Sequence, residues 1–175
     1  MAAFTALLCF ILILNQSSCL VNASVTETCK KAAASGAKFI YDFCVATLSA
    51  APGSSTADTQ GLAIIAANLT TANATSTELT ISILLKKTKD NATQQCLRTC
   101  STIYSFMVDR LNYISSAITS KHYSDARIYL SSVMGIVREC EAQFGDMHIK
   151  SPLTKENDDS LKLSILTLDL VDLLK

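Results

Sequence analysis

The chain has 175 residues, 49% hydrophobic and 17% charged, and its 15 basic side chains balance 15 acidic ones. Neutrality at pH 7 argues against a nucleic-acid binder, which needs a basic stripe or face. With no Trp, five Gly and two Pro, the composition favours a helical chain over a turn-rich β-sandwich.

Residues 1–23 contain no Lys, Arg, Asp or Glu; the apolar run LLCFILIL is followed by polar residues and a small-residue exit, Val21-Asn22-Ala23. This is the layout of a secretory leader cleaved after Ala23, although the segment before the run lacks a basic side chain. The run is shorter than the roughly 20 apolar residues a spanning helix needs, so the chain left by cleavage, 24–175, carries no membrane anchor. Two of the seven cysteines, Cys9 and Cys19, leave with the leader. An oxidising route then makes disulfides expected among the other five.

Two short helices, 26–34 and 37–49, are expected around Gly36, stapled by Cys29 and Cys44. SAAPGSSTADTQG at 49–61 is a linker, ending in a capping signal of Ser55 with Asp58 three residues on. Four long helices follow. The first, over 56–89, repeats Leu62, Ile65, Leu69, Ala72, Ser76, Leu79 and Ile83 at helical spacing. The next two, 93–119 and 122–145, carry mirrored stripes stepping 4-3-4-3-4. These are Cys100, Tyr104, Met107, Leu111, Ile114, Ile118 and Ala126, Leu130, Val133, Val137, Cys140, Phe144. Folding them about a turn near Lys121 puts Cys100 and Cys140 at one end, each roughly 30 Å of helix from the turn, so their spacing permits a bridge. Cys96 lies one turn further out, about 6 Å along the axis, and the symmetric spacing favours Cys100 as the partner. The last helix, 156–174, aligns Leu163, Leu166, Leu170 and Leu173, with Thr154 as the expected N-cap and Glu156, Asp158 and Asp159 in the first turn. The expected fold is all-α, an up-down-up-down four-helix bundle (55–175) preceded by a short disulfide-stapled hairpin (24–50).

Catalytic and cofactor chemistry is sparse. His122 and His148 lack an i,i+4 partner for zinc, and no Gly-rich phosphate loop or nucleophile elbow occurs. Cys96 and Cys100 share a helix face, but a metal site would need further ligands, so one bridged and one packed cysteine is the simpler reading. The run Lys86-Lys87-Thr88-Lys89 reads as a solvated helix end. No cofactor is expected. Three sequons follow the leader, at Asn68, Asn73 and Asn91. Asn91, between helices, is the most accessible, and Asn68 is the least, because it falls some 60° from the centre of the apolar stripe.

Several segments taken together resemble the plant invertase and pectin methylesterase inhibitors, closest to an invertase-inhibitor subgroup that includes a plane-tree pollen allergen. They are TCKKAAASGAKFIYDFCVATLSA, STADTQGLAIIAANL, CSTIYSFMVDRL, ECEAQF and KSPLTKENDDSLKL. The resemblance implies a four-helix bundle behind a helical hairpin, with bridges Cys29–Cys44 and Cys100–Cys140 and Cys96 left as a free thiol. It implies a non-catalytic, secreted protein of the cell wall or vacuole that binds a plant invertase or pectin methylesterase one to one. Some of the family's invertase inhibitors insert Pro-Lys-Phe from a bundle loop into the enzyme. Here the turn between the mirrored helices reads Ser120-Lys121-His122-Tyr123, and Lys121, His122 and Tyr123 are the candidate partner contacts.

Two functions fit this fold: inhibition by occlusion, and transport of a small apolar ligand. An inhibitor has a filled core and an exposed binding face, whereas a carrier needs an apolar cavity of a few hundred Å³.

Overall fold

The computed structural model describes residues 25–35 and 38–175. Residues 1–24, which include Cys9, Cys19 and the expected leader, and Gly36 and Ala37 lie outside the described residues. Helix α1 covers 25–32 and runs into a single 3-10 turn, Ala33–Ser35; α2 is Lys38–Ala50. The four long helices are α3 (Thr59–Lys87), α4 (Asn91–Thr119), α5 (Tyr123–Asp146) and α6 (Thr154–Asp172). Each packs on the next and α6 closes against α3, while α2 lies against α3 and α6. The fold is all-helical among the described residues, a four-helix bundle behind a helical hairpin.

The mirrored stripes of α4 and α5 are buried at every position expected, because both faces are continuous and apolar at one helical phase. The hairpin adds Val25, Cys29, Ala32, Cys44 and Leu48 to the same core. Sulfur bonds join Cys29 to Cys44 and Cys100 to Cys140, with Cα atoms 5.7 and 5.0 Å apart. Cys96 is a buried free thiol that donates to the Gln143 carbonyl at 3.4 Å.

α3 departs from the expected stripe. Its buried side is Leu62, Ala63, Ala66, Ala67, Thr70, Ala74, Thr77 and Ile81, while Ala72, Ser76, Leu79 and Ile83 face out. Small residues win the inner face because they let neighbouring helices approach closely. The two threonines are tolerated there because Thr70 Oγ1 donates to the Ala66 carbonyl (2.8 Å) and Thr77 Oγ1 to that of Asn73 (3.0 Å).

Helix starts also moved. α3 begins three residues later than expected, at Thr59, because Asp58 is itself the cap, its Oδ1 accepting from Gly61 N at 2.8 Å; Ser55 lies in a 3-10 turn, Ser54–Thr56. Asp90 caps α4 the same way through Thr93 N, which starts the helix at Asn91. α6 begins at Thr154, which is not its cap. Ser151 Oγ accepts from Leu153 N (3.1 Å), turning the chain into the helix two residues before the expected start and leaving buried Leu153 at the cap position.

At the far end of α6, burial and the neighbouring Asp172 charge push the Asp169 carboxyl up to about 6. The folded chain therefore binds more protons than the unfolded chain between the usual carboxylate value and 6. Stability should fall as pH rises through that window and level off above it. Asp169→Asn should remove this slope. Urea midpoints should show a gain of order 1 kcal/mol at pH 7, after discounting for solvent screening, and none below pH ~4.

Candidate functional site: the outer face and tip of the α4–α5 hairpin

The buried stripes leave the opposite sides of α4 and α5 to solvent. On α4, Phe106 (59% exposed) and Tyr113 (44%) point outward, with Arg110 between them one turn from each. On α5, Tyr129 stacks on Tyr113 with ring centroids 4.6 Å apart at 50°, and Ile136 continues the row. Ile103, Phe106, Arg110, Ser132, Ile136 and Glu139 line a groove of about 460 Å³ between the two helices. Exposed aromatics around an arginine, on helices tied by a disulfide, form a surface suited to burial against another protein.

This surface runs toward the tip, where α4 ends in a Schellman turn. His122 N donates to the Ala117 carbonyl (2.8 Å) and Lys121 N to that of Ile118 (3.1 Å), with Lys121 left-handed at φ 63°. A side chain there is strained, but His148 closes α5 in the same way at φ 55°, so the strain alone does not mark a contact. Lys121 and His122 are exposed; Tyr123 is not free. Its hydroxyl donates to Gln60 Oε1 at 3.4 Å, and Gln60 Nε2 donates to the Ile118 carbonyl at 3.0 Å. Tyr123 therefore braces the hairpin against the start of α3, and the projecting groups of the tip are Lys121 and His122.

Phe106, Arg110 and Tyr113 escape a reading that searches for core periodicity, because they flank the buried stripe instead of joining it. Their signal was available: two aromatics at i and i+7 on the side of α4 that should be polar.

A second groove, about 420 Å³, lies between α5 and α6 with Val137, Glu141, Asn157 and Leu161 in its lining. Its Glu141, Thr154 and Asn157 belong to a polar network joining all four bundle helices. The Tyr104 hydroxyl donates to Asn157 Oδ1 (2.8 Å) and lies 3.1 Å from Ser160 Oγ. Ser160 Oγ donates to Asn73 Oδ1 (2.6 Å). Asn157 Nδ2 and Thr154 Oγ1 donate to the two carboxylate oxygens of Glu141. Burial pushes the Tyr104 phenol up to about 12, which keeps it a neutral donor. Burial also raises the Cys96 thiol, so it lacks the thiolate character of a nucleophile. Among the described residues no group of three or more His, Cys, Asp or Glu could hold a metal, and no helix is long and apolar enough to cross a membrane.

The sequons separate by position. Asn91 opens α4 and is exposed, Asn68 is also exposed, and Asn73 is half-buried. The shielding expected for Asn68 does not occur, because the inner face of α3 is rotated away from it.

Residues 23–170 match the family model described as plant invertase/pectin methylesterase inhibitor. A Platanus acerifolia protein named "Putative invertase inhibitor" is 34% identical over 88% of this chain and 87% of its own length. "Pectinesterase inhibitor 8" of Oryza sativa subsp. japonica is 26% identical over 89% and 85%. The crystal structure of a pectin methylesterase inhibitor from Arabidopsis thaliana superposes with a TM-score of 0.63 at 18% identity, over 77% of this chain and 89% of that one, and shows the same fold. The chain belongs to the plant invertase/pectin methylesterase inhibitor family, a family of protein inhibitors and not of enzymes.

Proposed function

We propose that the protein is secreted after loss of residues 1–23 and blocks the active-site cleft of a plant invertase or pectin methylesterase by one-to-one binding. The observation that carries this reading is the outer face of the α4–α5 hairpin, where Phe106 and Tyr113 stand exposed beside Arg110. No covalent step is needed. A pre-ordered helical face loses little conformational entropy on docking, and the Cys100–Cys140 bridge holds its two helices in register. Leu62, Tyr104, Met107, Leu111, Leu130 and Leu166 fill the space between the helices, and the grooves lie at the surface. That arrangement favours a docking protein over a carrier with an internal apolar cavity.

The sequence is nearer to the relative named for invertase inhibition than to the one named for pectinesterase inhibition. Assays of the purified protein against one plant invertase and one pectin methylesterase, run in parallel, assign the target. Inhibition of one enzyme that weakens as substrate is raised is the expected result. Inhibition insensitive to substrate would reject occlusion of the cleft.

A further inference from the structure

Between Asp58 and Lys86, α3 carries a single charged residue, Glu78, although the helix has a solvent-facing side along much of its length. That side presents Asn68, Ala72, Thr75, Ser76, Leu79 and Ile83, with Leu79 63% and Ile83 42% exposed. At 100° per residue all six fall within one sector. A surface helix normally carries its charges there, so an uncharged outer face implies a cover.

Asn68 supplies one. It begins the sequon Asn68-Leu69-Thr70, and its carboxamide is held from one side only. Ser115 Oγ donates to Asn68 Oδ1 at 3.1 Å, and the residue is exposed, so the bond does not occupy Nδ2, the atom that would take a glycan. Asn73 is the internal contrast. Its Oδ1 accepts from Ser160, and its side chain shares a crevice with Phe43 and Thr47 of α2 and Leu163 of α6. A glycan at half-buried Asn73 would crowd Phe43 and Thr47 of α2.

We infer that Asn68 carries an N-linked glycan that covers the uncharged outer face of α3, and that Asn73 stays bare. This rests on the secretory reading, since the oligosaccharide is transferred to the chain in the secretory pathway. The hydroxyl of Thr70 is buried in the fold, so transfer precedes folding, and the folded position decides only which products are tolerated. Leu79 lies about 16 Å from Asn68 along the helix axis, within reach of a branched core oligosaccharide lying along that face.

Two expression arms in a eukaryotic host separate this claim from secretion. The full chain with its own N-terminus tests the leader: secreted protein should begin at Ser24, and retention with an intact N-terminus would reject the secretory reading alone. In the second arm a host leader replaces residues 1–23, so the chain enters the pathway in any case, and glycopeptide mapping reads each sequon. Occupancy at Asn68 and none at Asn73 is expected, and Asn68→Gln should lower the intact mass by one glycan. Light scattering should then show Asn68→Gln self-associating as concentration rises, with Leu79→Lys in the same chain reversing it. A bare Asn68, or occupancy at Asn73, would overturn the assignment. A glycosylated Asn68 whose removal leaves the protein monomeric would overturn the covering role.

Discussion

Replacing Cys100 by serine should lower the unfolding free energy by about 4 kcal/mol, the chain-entropy value for a bridge closing a loop of 40 residues. That approaches the whole stability of a marginal domain, so the variant should melt far below its parent. The comparison belongs in a Cys96→Ser background, because the buried Cys96 thiol sits one turn away on α4 and could take Cys100's place. Cys96→Ser alone should be mild, since a serine hydroxyl can keep the bond to the Gln143 carbonyl. Denaturant titrations of the single and double variants check both statements. A Cys96–Cys140 link found by non-reducing peptide mapping of the parent would refute this pairing.

The other large effect is on binding. Phe106→Glu and Tyr113→Ala should each weaken inhibition about 30-fold or more, the loss expected when an interface hot spot worth about 2 kcal/mol is removed. Phe106 is the more exposed, so its replacement should change stability by less than about 0.5 kcal/mol, while Tyr113→Ala should cost about 1 kcal/mol because it loses the Tyr129 ring. Lys121→Ala should reduce inhibition less, as a rim charge does, and mainly through the association rate. Tyr123→Ala should instead lower thermal stability, because it frees Gln60 and opens the end of α4. Wild-type inhibition by both Phe106→Glu and Tyr113→Ala would move the binding face off the α4–α5 hairpin.

The parts of the fold legible in the sequence were those governed by one dominant periodicity. The α4 and α5 stripes repeat a single apolar phase over six positions each, and the apolar residues outside them, such as Phe106 and Tyr113, are too few to make a second continuous stripe. α3 misled because it carries two faces of similar hydrophobicity: Leu69, Leu79 and Ile83 on one, Ala63, Ala66, Ala67 and Ala74 on the other. Side-chain size, not hydropathy, decides between them, since alanines let α4 and α6 approach. The start of α6 was missed because a serine two residues before Leu153 does the turning usually given to the cap. Of the candidate site, the tip was visible as a break between stripes. The bracing role of Tyr123 depends on Gln60, 63 residues away, and no local pattern carries that. The aromatic face was written in the sequence at Phe106 and Tyr113, but only burial of the neighbouring stripe shows that these two point outward.

The central claim, stoichiometric occlusion by a non-catalytic surface, is tested most directly by titration at an enzyme concentration well above the dissociation constant. Residual activity of the target invertase or pectin methylesterase should fall linearly and reach its floor at one inhibitor per enzyme. The protein alone should release neither hexose from sucrose nor methanol from pectin. Full activity of both enzymes in a large excess of the protein, or substrate turnover by the protein itself, would contradict the account.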